Sequence, residues 1–281
     1  MTEIQSERGK LILRLAQTAE EIAACQRLRY HVFYEEMNAQ ADENTSALKM
    51  DCDRFDAICD HLLVVHRGQP QHGGCPMLAD GELIGTYRLL RQDIAEAHGG
   101  FYTQAEFEIA PLISRHSSLR FLELGRSCVL KQFRTKPVVE LLWQGIWDYV
   151  RANHMDVMLG CASLEGTDPD AHAFALSFLA DVAAPPEWKV RALPSRYVDM
   201  RRIPPETIDK RRALSVIPPL IKGYLRLGCY IGDGAVIDRQ FNTIDVLIIL
   251  PVSAINPRYF AHFGPPADTT SKAGAHQRLM S

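Results

Sequence analysis

Residues 121–136 read Phe-Leu-Glu-Leu-Gly-Arg-Ser-Cys-Val-Leu-Lys-Gln-Phe-Arg-Thr-Lys. Glu123 alternates with apolar neighbours, as in a buried strand. Gly125 and Arg126 follow, the glycine allowing the backbone to deform. The stretch leaves through a basic turn holding Lys131, Arg134 and Lys136. Pro137 suits the first turn of a helix whose positions Val138, Val139, Leu141, Leu142, Ile146, Trp147 and Val150 form a wide apolar stripe. A second strand, Met155 to Cys161, follows at once. A strand–helix–strand unit of this size predicts a parallel pair.

On the N-terminal side, a frayed end precedes a first strand over Lys10–Leu15, and a helix starts at Thr18 or Glu20. Ile22, Cys25, Leu28, Val32 and Phe33 make its buried face, while Arg29 lies beside that face and can line a cleft. Asp51-Cys52-Asp53-Arg54-Phe55-Asp56 packs three carboxylates into six residues, and Asp53 and Asp56 fall on one side of a helical turn. His61–His66 reads as a buried strand, 68–81 as a Gly/Pro-rich hairpin loop, and Glu82–Arg91 as a strand. In that strand Gly85 marks a bulge and Arg88 can point into a crevice. Residues 92–120 read as irregular, with a short helix near 104–109.

On the C-terminal side, Thr167 or Asp168 caps a helix over 171–180 that Pro185-Pro186 ends. Residues 187–212 hold eight basic against four acidic side chains, and an amphipathic segment runs over 214–227. Residues 228–238 read as turn-like, and Thr243–Leu250 as a last buried strand. The predicted organisation is an α/β domain over 8–200, a C-terminal extension packed on it over 201–264, and a disordered tail over 265–281.

Composition removes several classes. A net charge of −3 over 281 residues, with no recognition motif, argues against nucleic acid as a partner. Seven scattered cysteines fit free thiols in a reducing cytosol. Ten histidines without ligand spacing predict no metal. Neither a GxSxG elbow nor a phosphate-binding GxxxxGK[ST] loop is present. The polar N-terminus and the lack of a long apolar run predict a cytoplasmic protein. What remains is an acid-bearing central strand, a basic loop entering a helix, and a parallel neighbour. Where such strands splay, free backbone N–H groups can hold a thioester carbonyl, which is the layout of an acyl-transfer site.

The chain resembles the GNAT acyltransferase superfamily, and within it the L-ornithine Nα-acyltransferases, with a more distant similarity to acyl-homoserine-lactone synthases. Stretches 28–36, 51–56, 84–91, 121–129, 141–149, 159–168, 218–228 and 241–250 carry the resemblance. It implies a mixed central sheet flanked by helices, a 3-hydroxyacyl group carried on the phosphopantetheine of acyl carrier protein, L-ornithine as acceptor, and no separate cofactor. The 131–136 loop has no glycine to cradle a pyrophosphate, which suits a protein-borne thioester. Its basic residues Lys131, Arg134 and Lys136 would meet that donor. Glu123 is the candidate general base, the other reading being an ion pair with Arg126 or Arg88. Arg29, Arg88 or Arg126 would take the ornithine carboxylate, and Asp53 or Asp56 its side-chain ammonium. Carry-over from the lactone synthases implies Arg29, Phe33, Asp53, Asp56, Arg88, Glu123 and Arg126 as site positions. A lipid product suggests that 189–212 and 214–227 touch an anionic membrane on its inner face. The alternatives are a lactone-type synthase using S-adenosylmethionine, or a non-catalytic carrier- or lipid-binding relative.

Overall fold

The computed structural model describes residues 4–68, 76–182, 184–256 and 259. Its strands are β1 (Gln5–Arg8), β2 (Leu11–Leu15), β3 (Asp60–His66), β4 (Met77–Leu78), β5 (Gly81–Arg91), β6 (Phe121–Val129), β7 (Val157–Glu165), β8 (Tyr230–Asp238) and β9 (Thr243–Pro251). They form one sheet in the order β1-β2-β3-β5-β6-β7-β9-β8, with β4 paired to β5. The helices are α1 (Ala19–Tyr30), α2 (Glu43–Leu48), α3 (Gln92–Ala97), α4 (Ala110–Arg115), α5 (Lys136–Ala152), α6 (Ala173–Asp181), α7 (Lys210–Val216) and α8 (Pro219–Leu227). The mixed α/β architecture is the one expected.

Alternation along β5 sorts the helices onto opposite faces. Thr86 faces α1, where its hydroxyl donates to Cys25 Sγ at 3.4 Å. Tyr87 faces the other way and meets Tyr224 of α8, hydroxyl to hydroxyl, at 3.0 Å. Trp143 of α5 packs edge-on against the same Tyr224 at 5.1 Å. So α1 covers one face, and α5 with α8 the other.

The parallel pair predicted from 121–161 is β6 with β7, and it is short. Phe121, Leu122 and Glu123 pair with Val157, Met158 and Leu159, and there the pairing stops. Both strands continue, β6 held by β5 and β7 by β9. A bulge in β6 opposite Thr86–Arg88 adds to the divergence. Its left-handed residue is Arg126, at φ 51°, and not Gly125 as its neighbour's glycine suggests. At the branch point Gly160 lies against the Leu124 carbonyl, where a Cβ would come within 2.2 Å of the oxygen.

Some expectations are corrected. The N-terminal end is not frayed throughout, because Gln5–Arg8 pairs with β2 as an edge strand. Residues 228–238 are mostly strand β8. Their glycines serve a register shift between Ile231 and Ala235, with Gly234 at φ 84°, so a bulge mimics a turn in sequence. The 92–120 stretch holds α3, a short 3-10 turn at Tyr102–Ala105, and α4. The Gly85 bulge is present in β5, where Val64 and Val65 pair with Gly85 and Leu83. The region 201–256 supplies α7, α8, β8 and β9, the last paired with β7 throughout. Residues 69–75 of the expected loop, and the 265–281 tail, lie outside the described residues.

Substituting Gly160→Ala should lower stability by about 1–3 kcal/mol, because a backbone oxygen cannot move aside as a side chain can. Urea unfolding measures it, and an unchanged midpoint would refute the close approach.

Candidate active site

Behind the splay, three arginines and three aspartates alternate. Arg29, wholly buried in α1, donates Nε to Asp51 Oδ2 at 2.8 Å, and Nη1 and Nη2 to the two oxygens of Asp56 at 2.8 Å. Its Nη2 also donates to the Asp51 carbonyl. Arg88 of β5 donates Nη1 to Asp53 at 2.6 Å and to Asp56 at 3.1 Å. Arg126 of β6 donates Nε to Asp51 at 3.0 Å and Nη2 to Asp53 at 3.2 Å. Burial alone would raise the Asp56 carboxyl, but Arg29 and Arg88 hold it well below the usual carboxylate range. His61, whose ring Nε2 lies 3.0 Å from the Asp56 carbonyl, is pushed down by burial and stays neutral. Arg126 also stacks over the rings of Phe241 at 4.5 Å and Tyr102 at 4.9 Å.

A cavity of about 770 Å³ opens from this network through the gap between β6 and β7. Its polar part is lined by Arg88, Arg126, Tyr102, Glu123, Cys161 and Asp245. Its apolar part, across the sheet, is lined by Leu124, Leu142, Trp143, Ile146 and Leu220. Glu123 is buried, and its two oxygens accept the backbone N–H groups of Thr103 at 2.7 Å and Tyr102 at 2.9 Å. Burial raises its pKa and those two hydrogen bonds oppose the rise only in part. An oriented carboxylate of raised basicity is what a general base requires.

A second group of acids stands near Glu123. Glu106, Cys161 and Asp245 bring their ligand atoms within 4.8 Å of one another. Burial and the Asp245 charge push Glu106 up to about 7, and burial pushes Asp245 up to about 6. Arg196 Nη1, 3.3 Å from Glu106, and Thr243 Oγ1, donating to Asp245 at 2.9 Å, offset this in part. Burial and both carboxylates raise the Cys161 thiol well above its ordinary value, so it keeps its proton. Such a donor set suits a cation, whether a substrate ammonium or a metal ion.

The chain is similar to known proteins. A family profile described as Acetyltransferase (GNAT) domain matches residues 28–144. An L-ornithine N(alpha)-acyltransferase of Agrobacterium fabrum (strain C58 / ATCC 33970) is 49% identical over 261 residues, covering 92% of this chain and 87% of that protein. One from Rhizobium meliloti (strain 1021) is 51% identical over 260 residues, covering 92% and 86%. This chain belongs to the L-ornithine Nα-acyltransferase family. It is therefore an N-acyltransferase of the GNAT type, as its sequence resemblance implied. Among solved structures, an N-acyl amino acid synthase from uncultured soil microbes aligns with a TM-score of 0.48 at 12% identity, over 89% of this chain and 97% of that one. The AHL synthase LasI aligns with 0.47 at 12%, over 92% and 97%.

In this acyltransferase the expected site residues divide. Arg88, Arg126, Glu123 and Phe33 line the cavity, Phe33 stacked edge-on against Phe241 at 5.6 Å. Arg29, Asp53 and Asp56 do not line it. Arg29 is buried against Asp51 and Asp56, so it cannot take a substrate carboxylate, and Asp56 is as fully engaged by arginines. The alternative ion pair of Glu123 with Arg126 or Arg88 does not form, since both arginines go to aspartates. Arg134 and Lys136 reach the cavity rim, Arg134 held by Glu36 at 2.6 Å and Lys136 3.5 Å from Glu140. Lys131 is exposed on a short 3-10 turn and does not line the cavity.

Sequence reading missed Tyr102, Glu106, Asp245 and Phe241. Asp245 carried a usable signal, an acid inside the apolar run Thr243–Leu250, which is the pattern that drew attention to Glu123. Tyr102 and Phe241 carried none.

Replacing Asp51 by Ala strands Arg29 and Arg126 and should cost about 3–5 kcal/mol, read by urea unfolding. Because Glu106 and Asp245 bind protons more tightly folded than unfolded, their contribution is full in acid and lost as pH rises to about 7. Asp56, shifted the other way, loses its contribution only as pH falls below its ordinary range. Stability should therefore decline from mildly acidic pH toward neutrality, and Asp245→Asn should flatten that slope. A slope equal to that of the unaltered protein would refute the assignment.

Proposed function

We propose that this acyltransferase moves a 3-hydroxyacyl group from acyl carrier protein to the α-amino group of L-ornithine, forming lyso-ornithine lipid. The observation that carries the reading is the cavity that crosses the sheet at the β6–β7 gap, polar on one face and apolar on the other. A hydrophilic acceptor and an aliphatic donor can then meet at the strand gap. The names of the relatives support ornithine as that acceptor over S-adenosylmethionine, the acceptor of a lactone-type synthase.

Each part of the acceptor has a counterpart. Arg88 and Arg126 offer positive charge to its carboxylate, while Asp51, Asp53 and Asp56 hold them in place. Asp245, which lines the cavity with Glu106 close behind it, rather than Asp53 or Asp56, receives the side-chain ammonium. Binding that cation would favour the ionised form of both acids. The α-amine arrives mostly protonated, since such groups titrate near ~8; it gives up one proton to solvent, the neutral amine attacks the thioester carbonyl, and Glu123 takes the second proton from nitrogen and returns it to the departing sulfur. Splayed backbone N–H groups of β6 stabilise the oxyanion, and the C–S bond breaks to release the carrier thiol. Attack is direct in this reading, and burial beside two carboxylates, which raises the Cys161 thiol, is in keeping with it.

The exposed, glycine-free 131–136 loop at the start of α5 supports a carrier-protein donor, whose acidic surface and single phosphate suit Lys131, Arg134 and Lys136. No helix among the described residues is long and apolar enough to cross a membrane. Four basic residues of 189–212 are paired with acids, Arg191 with Asp233, Arg196 with Glu106, Arg201 with Asp181 and Arg202 with Asp170. Membrane contact therefore rests on α7, where Leu214 and Val216 are exposed beside Lys210 and Arg211.

Incubating the protein with 3-hydroxyacyl carrier protein and either ornithine or S-adenosylmethionine, with products identified by mass, tests the reaction. An ornithine conjugate is expected, and its absence or a lactone would refute it. Glu123→Gln should lower the rate by about 10²–10⁴-fold with folding retained. Asp245→Asn should remove the preference for ornithine over norvaline, which lacks the ammonium, a preference of about tenfold or more.

A further inference from the structure

Beyond the large cavity, a smaller pocket of about 240 Å³ lies between α5 and α8. Trp147, Met158, Leu227 and Ile255 contribute mainly apolar surface to it. The two spaces share Glu140, Trp143, Ile146, Gly223 and Arg226, so they adjoin along one seam. At that seam Gly223 interrupts α8 in mid-helix. Glycine weakens a helix interior relative to alanine, so its presence calls for a reason. Backbone conformation supplies none, since Gly223 is not among the positive-φ residues. Packing supplies none either, because a Cβ there would meet no atom within 4 Å. What the missing side chain leaves is open space between the two chambers.

We propose that Gly223 is the length gate for the donor, its lack of a side chain letting a long acyl chain pass from the reaction cavity into the α5–α8 pocket. This rests on the acyl-transfer reading above and adds the residue that sets chain length. The occupant is the aliphatic tail, because the smaller pocket continues the apolar half of the cavity. A branched side chain at 223 would project into the seam and stop the tail there. Short acyl groups would end before it. Lys222, the preceding residue of α8, does not line either space and provides a position for the same added bulk elsewhere on the helix.

The test compares 3-hydroxyhexadecanoyl with 3-hydroxybutanoyl carrier protein as donors, reading kcat/KM for each. Gly223→Leu should lower the long-to-short ratio by about tenfold or more, and Gly223→Ala should fall between it and the unaltered protein. Lys222→Leu should leave the ratio where it was. Equal losses for both donors, no change at all, or an equal effect of Lys222→Leu would overturn the proposal. A binding arm uses 3-hydroxyhexadecanoyl- and 3-hydroxybutanoyl-pantetheine by calorimetry, without acceptor. If ornithine is not acylated yet Gly223→Leu selectively weakens the long ligand, the acceptor reading fails and the gate stands. If the long ligand binds no better than the short one to the unaltered protein, or Gly223→Leu spares it, the gate fails.

Discussion

Six charged side chains, four of them buried and Asp53 and Arg126 partly so, must satisfy one another, and Arg29, Arg88, Arg126, Asp51, Asp53 and Asp56 do so in alternation. Taking an ion out of water costs several kcal/mol even after relaxation, so no member can be lost without leaving a charge uncompensated. The network joins α1, the 51–56 loop, β5 and β6, which are far apart in the chain. It also holds Arg126 at the β6 bulge with a left-handed backbone that an arginine rarely adopts. The same group of charges thus organises the fold on one face and supports the widening of the sheet at its centre.

From that widening the chemistry follows. Once β6 and β7 part after three residue pairs, one cavity reaches both faces of the sheet. Strand alternation then places Glu123 on the polar side and Leu124 on the apolar side of one opening. The turn at Tyr102–Ala105 contributes two N–H groups to Glu123, fixing its orientation while burial keeps its proton affinity high. A buried carboxylate, an arginine pair, a cluster of acids and an apolar wall meet without any one element supplying more than a few of the groups.

Much of this was legible beforehand. The 121–161 unit predicted its parallel pair because apolar periodicity and a proline-led helix are local signals, and the acid inside the apolar strand marked Glu123. Gly-rich 228–238 misled because a bulge and a turn use the same residues. Arg29 was misplaced because a fully buried arginine and a cleft-lining one have the same helical position, and only the aspartates facing it distinguish them. The pairing of β9 with β7 brings Asp245 to Cys161, and the turn at Tyr102–Ala105 brings Glu106, more than a hundred residues from Asp245, to the same place.

The sequence by itself determined the fold class, the acyltransferase family and the position of the central acid, since these rest on periodicity and on motifs carried within single segments. Only the tertiary structure decided which charges neutralise one another and which face the cavity. The same residue types serve both ends: Arg29 is paired and closed off, while Arg88 and Arg126 are paired on one side and line the cavity on the other. That depends on contacts between distant segments, and local sequence holds no record of them.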